Sequence, residues 1–160
     1  MPDARTGSAT PASPLLALGL DYGTRRIGVA AGDTLTNGAR PLGVVAAHNG
    51  TPDWAGLDRY VRDWGPKALV VGVPYNMDGT PGSLTEAAIE FGAELGRRYS
   101  LDVILVDERL SSREAEDLLR QQRASGARPR RIQQGDIDAT AACVLLEQWL
   151  RERQSDRQLE

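Results

Sequence analysis

Leu16, Leu18 and Leu20 alternate with the small residues Ala17 and Gly19 and stop at Asp21-Tyr22-Gly23. Period-two apolar patterning that ends in turn chemistry predicts a β-strand. Ile27 to Ala31 resumes the pattern after a Gly-Thr-Arg-Arg turn, so the two segments are expected to form a hairpin, and Pro41 to Ala47 supplies a third strand. The rhythm then changes. Thr51-Pro52 reads as an N-cap followed by proline at the first helical position, and Gly65-Pro66 as the end of that helix. Ala68 to Val73 is an apolar run of the kind covered on both faces. Ser83 and Glu86 have capping-box spacing and open a helix to about Tyr99. Val103 to Val106 is another buried strand, ending at Asp107-Glu108. Ser111 with Glu114 opens a helix to about Arg123, and a last helix spans about Ile137 to Leu150. The order β-β-β-α-β-α-β-α-α predicts one α/β domain over residues 15–150. Its mixed five-stranded sheet combines an antiparallel three-strand meander with two parallel strands, and carries helices on both faces. Residues 1–14 and 151–160 are expected to be flexible tails.

Composition narrows the chemistry. Met1 to Pro14 has no apolar core of a signal peptide, and no apolar run approaches the length of a membrane span, so the expected compartment is the cytoplasm. The single Cys143 excludes an intramolecular disulfide, and Cys143 with the single His48 cannot build a Cys/His metal cluster. Cys143 falls on the packed side of the last helix and His48 in a loop. Trp54, Trp64 and Trp149 are expected to cover the sheet. Carboxylates, hydroxyls, arginines and backbone therefore remain to carry any reaction.

The net charge of −3 conceals a segregation. Only Lys67 is a lysine; the other basic residues are all arginine. Arg120, Arg123, Arg128, Arg130 and Arg131 fall in a stretch, Leu118 to Gly135, that contains no acid. Arginine forks phosphate oxygens, so such a stripe fits a face that touches a polyanion. A solvated Arg-rich loop is the plainer alternative.

The acids fall at element ends. Asp21 closes the first strand on the same face as Ala17 and Gly19. Asp107 and Glu108 close another strand and, as neighbours, point to opposite faces. Asp138 begins the last helix on the face of Ala141, Ala142 and Leu145. These could converge at one sheet edge, where mutual repulsion and desolvation would demand a cation. An all-oxygen set suits Mg²⁺ or Mn²⁺, and two such ions can activate a water and stabilise a leaving phosphate oxygen. Each acid also has an ordinary reading: Asp21 as the start of a turn, Asp138 as a first-turn residue with Asp136 as its cap, and one of Asp107 and Glu108 as a solvated acid. Ser83 and Ser111 read as caps rather than nucleophiles. Pro74 to Gly82 is a nine-residue excursion between a buried strand and a helix, and its Tyr75 and Asn76 are expected to contact substrate.

Four segments, Gly19 to Ala30 (GLDYGTRRIGVA), Val71 to Thr80 (VGVPYNMDGT), Val106 to Ser112 (VDERLSS) and Asp138 to Leu146 (DATAACVLL), together resemble the YqgF/RuvX family. These bacterial proteins of the RNase H-like superfamily are described as Holliday junction resolvases and as pre-16S rRNA processing nucleases. The resemblance spans roughly Leu16 to Leu150. It implies an RNase H-like fold and a metal-dependent phosphodiesterase whose catalytic set is Asp21, Glu108 and Asp138. Asp107 is a further candidate metal ligand, and two Mg²⁺ or Mn²⁺ ions are expected. Arg25 and Arg26 in the hairpin turn, with the Arg120 to Arg131 stripe, would hold phosphates away from the chemistry. The family's segment before the last aspartate is usually Lys-rich, whereas here it is Arg-rich, and either Asp136 or Asp138 could face the ions. The implied partner is branched DNA or precursor rRNA, and the two-fold symmetry of a four-way junction would call for a homodimer. Two rivals stand beside this reading. One is a non-catalytic RNA-binding factor of ribosome assembly with vestigial cleavage. The other is an actin-like ATPase fold, suggested by Asp-Tyr-Gly-Thr, for which 160 residues supply no second lobe.

Overall fold

The alternation that opens the chain becomes the centre of a sheet. In a computed structural model, which describes residues 14–107 and 134–159 with side chains through Arg153, Leu16–Asp21 forms strand β1. It runs antiparallel to β2 (Arg26–Asp33), in a register from Leu16 opposite Asp33 to Asp21 opposite Gly28. Strand β3 (Ala39–His48) continues the meander, with an irregularity at Val29/Ala30. On the other side of β1 lie β5 (Ala68–Val73) and β6 (Asp102–Asp107), both parallel to it. A two-residue strand β4 (Thr51–Pro52) caps the far edge, giving among the described residues a six-stranded sheet ordered β4-β3-β2-β1-β5-β6. The meander, the parallel pair and their connectivity are as expected; the sixth strand is an addition.

That addition corrects the reading of Thr51-Pro52 as a helix start. Ala47 and His48 pair with Pro52 and Thr51, so tertiary strand pairing overrides the local cap pattern. Pro52, which has no N–H to donate, sits on an edge strand where none is needed. Helix α1 (Trp54–Trp64) begins after Asp53 and ends, as expected, on Gly65 in a left-handed conformation, φ 55°. His48 is the exposed last residue of β3 rather than a loop residue. Helix α2 (Thr85–Tyr99) follows Leu84, so Ser83 does not cap it. Thr85 does the anchoring instead: its hydroxyl donates to the Pro74 carbonyl and accepts from the Gly82 N–H at 2.7 Å. The expected helix from Ser111 to Arg123 and the N-terminal tail through residue 13 lie outside the described residues. Helix α3 (Gln134–Leu159) runs past Leu150, because Arg151, Glu152, Arg153 and Gln154 favour helix and no glycine or proline stops them.

The period-two pattern sorts β1 between two cores. Leu18 and Leu20, with Ile27, Val29, Leu69 and Val71, pack under α1 and α2 against Leu57, Phe91 and Leu95. Ala17, with Ala30, Ala68 and Val70, packs under α3 against Ala142, Cys143, Leu145 and Leu146. Burial pushes the Cys143 thiol up to about 12, as befits a core side chain. Trp54 and Trp64 border the first core and Trp149 the second. No helix among the described residues is long and apolar enough to cross a membrane.

α1 and α2 are joined through Asp58. Arg98 grips its carboxylate with two bonds of 3.1 and 3.0 Å, and the Tyr99 hydroxyl donates to it at 2.5 Å. These donors, Arg98 first, hold the Asp58 carboxyl below its ordinary value. A depressed folded-state carboxyl adds stability above its unfolded pKa, and that stability is lost as pH falls through the folded value. Asp58→Asn is therefore expected to lower the melting temperature at neutral pH and to converge on wild type in acid. Melting curves between pH 7 and pH 2 check this; a constant difference at every pH contradicts it.

Candidate active site

Asp21 emerges at the C-terminal end of β1 on the side that faces α3. Two steps back along the strand, a Cβ on Gly19 would meet the Ala142 carbonyl and Leu146, so this is the face α3 covers. One strand over, Asp21 is paired with Gly28, and a Cβ on Gly28 would stand 1.9 Å from the Asp138 carbonyl oxygen. Cross-strand partners share a face. The backbone of Asp138 therefore rests on the residue beside Asp21, and only a glycine permits the approach. On the other flank Asp21 pairs with Gly72, which pairs in turn with Val106, a member of the core under α3. Asp21 is thus bordered by a glycine on each side.

Asp138 follows the first turn of α3 and shares its sheet-facing side with Ala141, Ala142 and Leu145, all fully buried. Asp136, two residues earlier, lies about 200° round the helix. The Asp138 carboxylate is itself held. Arg26 Nε donates to Oδ2 at 2.7 Å, and Gln134 Nε2 donates to Oδ1 at 3.1 Å. Arg26 is the first residue of β2 and lies two before Gly28, so the strand alternation aims it at the same face. It is at the acids, not remote from them as expected for a phosphate contact. Arg25 is exposed in the turn between β1 and β2.

The structure joins Arg26 to Asp138 and seats the Asp138 backbone on Gly28, the strand partner of Asp21, whereas Asp107 falls on the other side of the sheet. Asp107 is level with Val73 on β5, and the two share the α1/α2 side of the sheet. At this strand end Asp107 lines a cavity of about 350 Å³ with Val73, Tyr75, Gly79, Leu105 and Val106. The alternation in β6 carries it to the face opposite Val106. Glu108, Arg120, Arg123, Arg128, Arg130 and Arg131 lie outside the described residues. Among the described residues no three His, Cys, Asp or Glu side chains form a metal-binding group.

The loop after β5 folds back on itself. Tyr75 bridges to Pro81, the Asn76 N–H donates to the Thr80 carbonyl at 2.8 Å, and the Asn76 amide donates to Thr80 Oγ1 at 3.0 Å and to the Pro81 carbonyl at 3.2 Å. Asn76 thereby shapes the loop, and Met77 stands out from it, 66% exposed. The residue after Asp21 is anchored as well. Tyr22 donates to the Gly50 carbonyl at 2.8 Å and its ring packs 4.9 Å from that of Phe91.

Residues 16–152 match the RuvX family model, described as Holliday junction resolvase. An Azotobacter vinelandii protein named as a proposed pre-16S rRNA nuclease is 48% identical over 141 residues, covering 88% of this chain and 96% of its own. A Nitrosococcus oceani protein of the same name is 44% identical over 155 residues, covering 96% and 98%. Among solved structures, Thermus thermophilus RuvC in complex with a Holliday junction superposes with a TM-score of 0.51 at 16% identity, over 88% of this chain and 96% of that one. The fowlpox virus resolvase with junction DNA superposes with a TM-score of 0.54 at 12% identity, over 87% and 99%. At those identities the structural likeness speaks for the fold alone. With a strand-end aspartate, a helix-start aspartate packed on its neighbour and a family match across nearly the whole folded chain, this protein belongs to the RuvX family and has an RNase H-like fold.

Proposed function

We propose that the chain is a divalent-metal-dependent nuclease that hydrolyses phosphodiester bonds in structured nucleic acid, acting in the cytoplasm. The observation that carries this is the seating of Asp138 on Gly28, the strand partner of Asp21, which gathers two carboxylates at one end of the sheet. Their donors are all oxygen, as hard cations such as Mg²⁺ and Mn²⁺ require. The pair already accommodates positive charge, since Arg26 lies against Asp138, so a cation suits the electrostatics of this edge. Asp21 and Asp138 would hold the ions, with Glu108, two residues beyond Val106 in the chain, as the third acid. When bound, two ions would activate a water and stabilise the leaving oxygen.

The rest of the work belongs to the chain itself. Gly28, which seats the Asp138 backbone, keeps the two acids at one end of the sheet. Arg25 in the turn, with Arg120, Arg123, Arg128, Arg130 and Arg131, is assigned to phosphate contacts, which position a substrate without reading its sequence. The self-bonded loop presents Tyr75, with Asn76 as its internal brace, next to the strand ends. The names of relatives point to two substrates, a four-way DNA junction and precursor 16S rRNA, and both have the phosphate-rich, branched or folded form this edge would receive. The test is cleavage of a synthetic junction and of a precursor rRNA fragment by the full chain with Mn²⁺ or Mg²⁺. Products with either substrate, lost on chelation, are expected. Tight RNA binding with no cleavage under any cation would replace the nuclease with a binding factor.

A further inference from the structure

We infer that Arg26 is a resident counter-ion for Asp138, holding the cation-free site together and competing with the divalent ion for that carboxylate. The inference rests on the proposed reading of Asp21 and Asp138 as metal ligands, and it reassigns Arg26 from substrate contact to control of the site. Three observations carry it. The 2.7 Å bond from Arg26 Nε to Asp138 Oδ2 is at the short, charge-assisted end of N–H···O geometry. The Asp138 end of the pair is partly withdrawn from water, its side chain being 19% exposed against 41% for Arg26, so the carboxylate is less screened than one at the open surface. Gln134 occupies the second oxygen, so both oxygens of Asp138 accept a hydrogen bond from the chain's own side chains.

The need for such a partner follows from the fold. Packing α3 on Gly28 brings Asp138 to the strand that flanks Asp21, and two carboxylates so placed repel unless positive charge lies among them. A guanidinium never loses its proton in this setting, so its neutralisation is permanent. The same permanence opposes a second cation: a divalent ion that takes Asp138 must weaken or displace the Arg26 bond. Arg26 would thus set the cation concentration at which the site fills, as well as keep the site assembled before it does.

The experiment is Mn²⁺ titration by calorimetry on the full-length protein, with melting curves recorded with and without Mn²⁺. Arg26→Gln is expected to bind Mn²⁺ about tenfold more tightly than wild type, the equivalent of one charge-assisted hydrogen bond no longer competing. Its cation-free form should melt lower, with the deficit closing at saturating Mn²⁺. Arg26→Lys, which keeps the charge, should stay within about threefold of wild-type affinity. In an Asp138→Asn background Arg26→Gln should change the affinity little, since the competitor then has nothing to guard. Unchanged or weaker Mn²⁺ binding by Arg26→Gln, with wild type binding normally, overturns the inference and leaves the metal-site reading standing. No Mn²⁺ binding by any of the proteins overturns both.

Discussion

Asp21→Asn is expected to reduce cleavage by at least about a thousandfold while the protein stays folded. Asn keeps the shape of the side chain but removes the negative charge that would draw a divalent cation to the proposed site. Several kcal/mol of charge stabilisation in the transition state would depend on that coordination, and each 1.36 kcal/mol is a factor of ten in rate. The fold should tolerate the change because the strand is held elsewhere. Leu18 and Leu20 are fully buried beneath α1 and α2, and Tyr22 is tied to Gly50. Removing one of two neighbouring negative charges should also leave the cation-free melting temperature equal to or above that of wild type. Single-turnover rates on whichever substrate the wild type cuts, with the melting temperature as control, measure both halves. Wild-type rates from the Asn variant would remove Asp21 from the chemistry. A collapsed melting temperature would recast it as a structural acid.

The placement of Asp21 and Asp138 was legible because each depends on a periodicity. Leu16, Leu18 and Leu20 define one face of a strand and leave Asp21 on the other, and Ala141, Ala142 and Leu145 define the face of a helix that Asp138 shares. What escaped the sequence reading was the company these acids keep. Arg26 reads as a turn residue when the second strand is begun at Ile27, whereas the strand begins at Arg26 and alternation then puts it beside Gly28 under α3. A strand boundary one residue earlier was the missing signal. Thr51-Pro52 has a helix-start pattern, and only pairing with Ala47 and His48, which no local pattern encodes, makes it a strand. Ser83 has the spacing of a cap, yet Thr85 reaches the Pro74 carbonyl because the loop closes through Asn76. Asp107 and Glu108 are legible as opposites but not as to which faces α3; β6 settles it for Asp107 by pairing it with Val73.

Gly28→Ala tests whether the seat of α3, rather than the acids alone, sets the rate. The added Cβ would lie 1.9 Å from the Asp138 carbonyl oxygen, 2.4 Å from its carbonyl carbon and 3.0 Å from the Ala139 nitrogen. All three are backbone atoms, so no side chain can swing away and the start of the helix must lift from the sheet. Overpacking of this kind costs about 1–3 kcal/mol of stability. Displacing a catalytic group by about 1 Å can cost on the order of a hundredfold in rate. Activity is therefore expected to fall about a hundredfold, measured at a temperature where the variant is fully folded. Gly19→Ala provides the contrast. Its Cβ would meet the same helix at the Ala142 carbonyl and the Leu146 Cβ, both 2.9 Å away, one helical turn beyond Asp138. It should lower stability while reducing the rate only severalfold, because it presses on the helix a full turn or more beyond Asp138. Equal losses of rate in the two variants would mean that loosening α3 anywhere disables the protein. A Gly28→Ala enzyme with the wild-type rate would mean that Asp138 has no need of its seat.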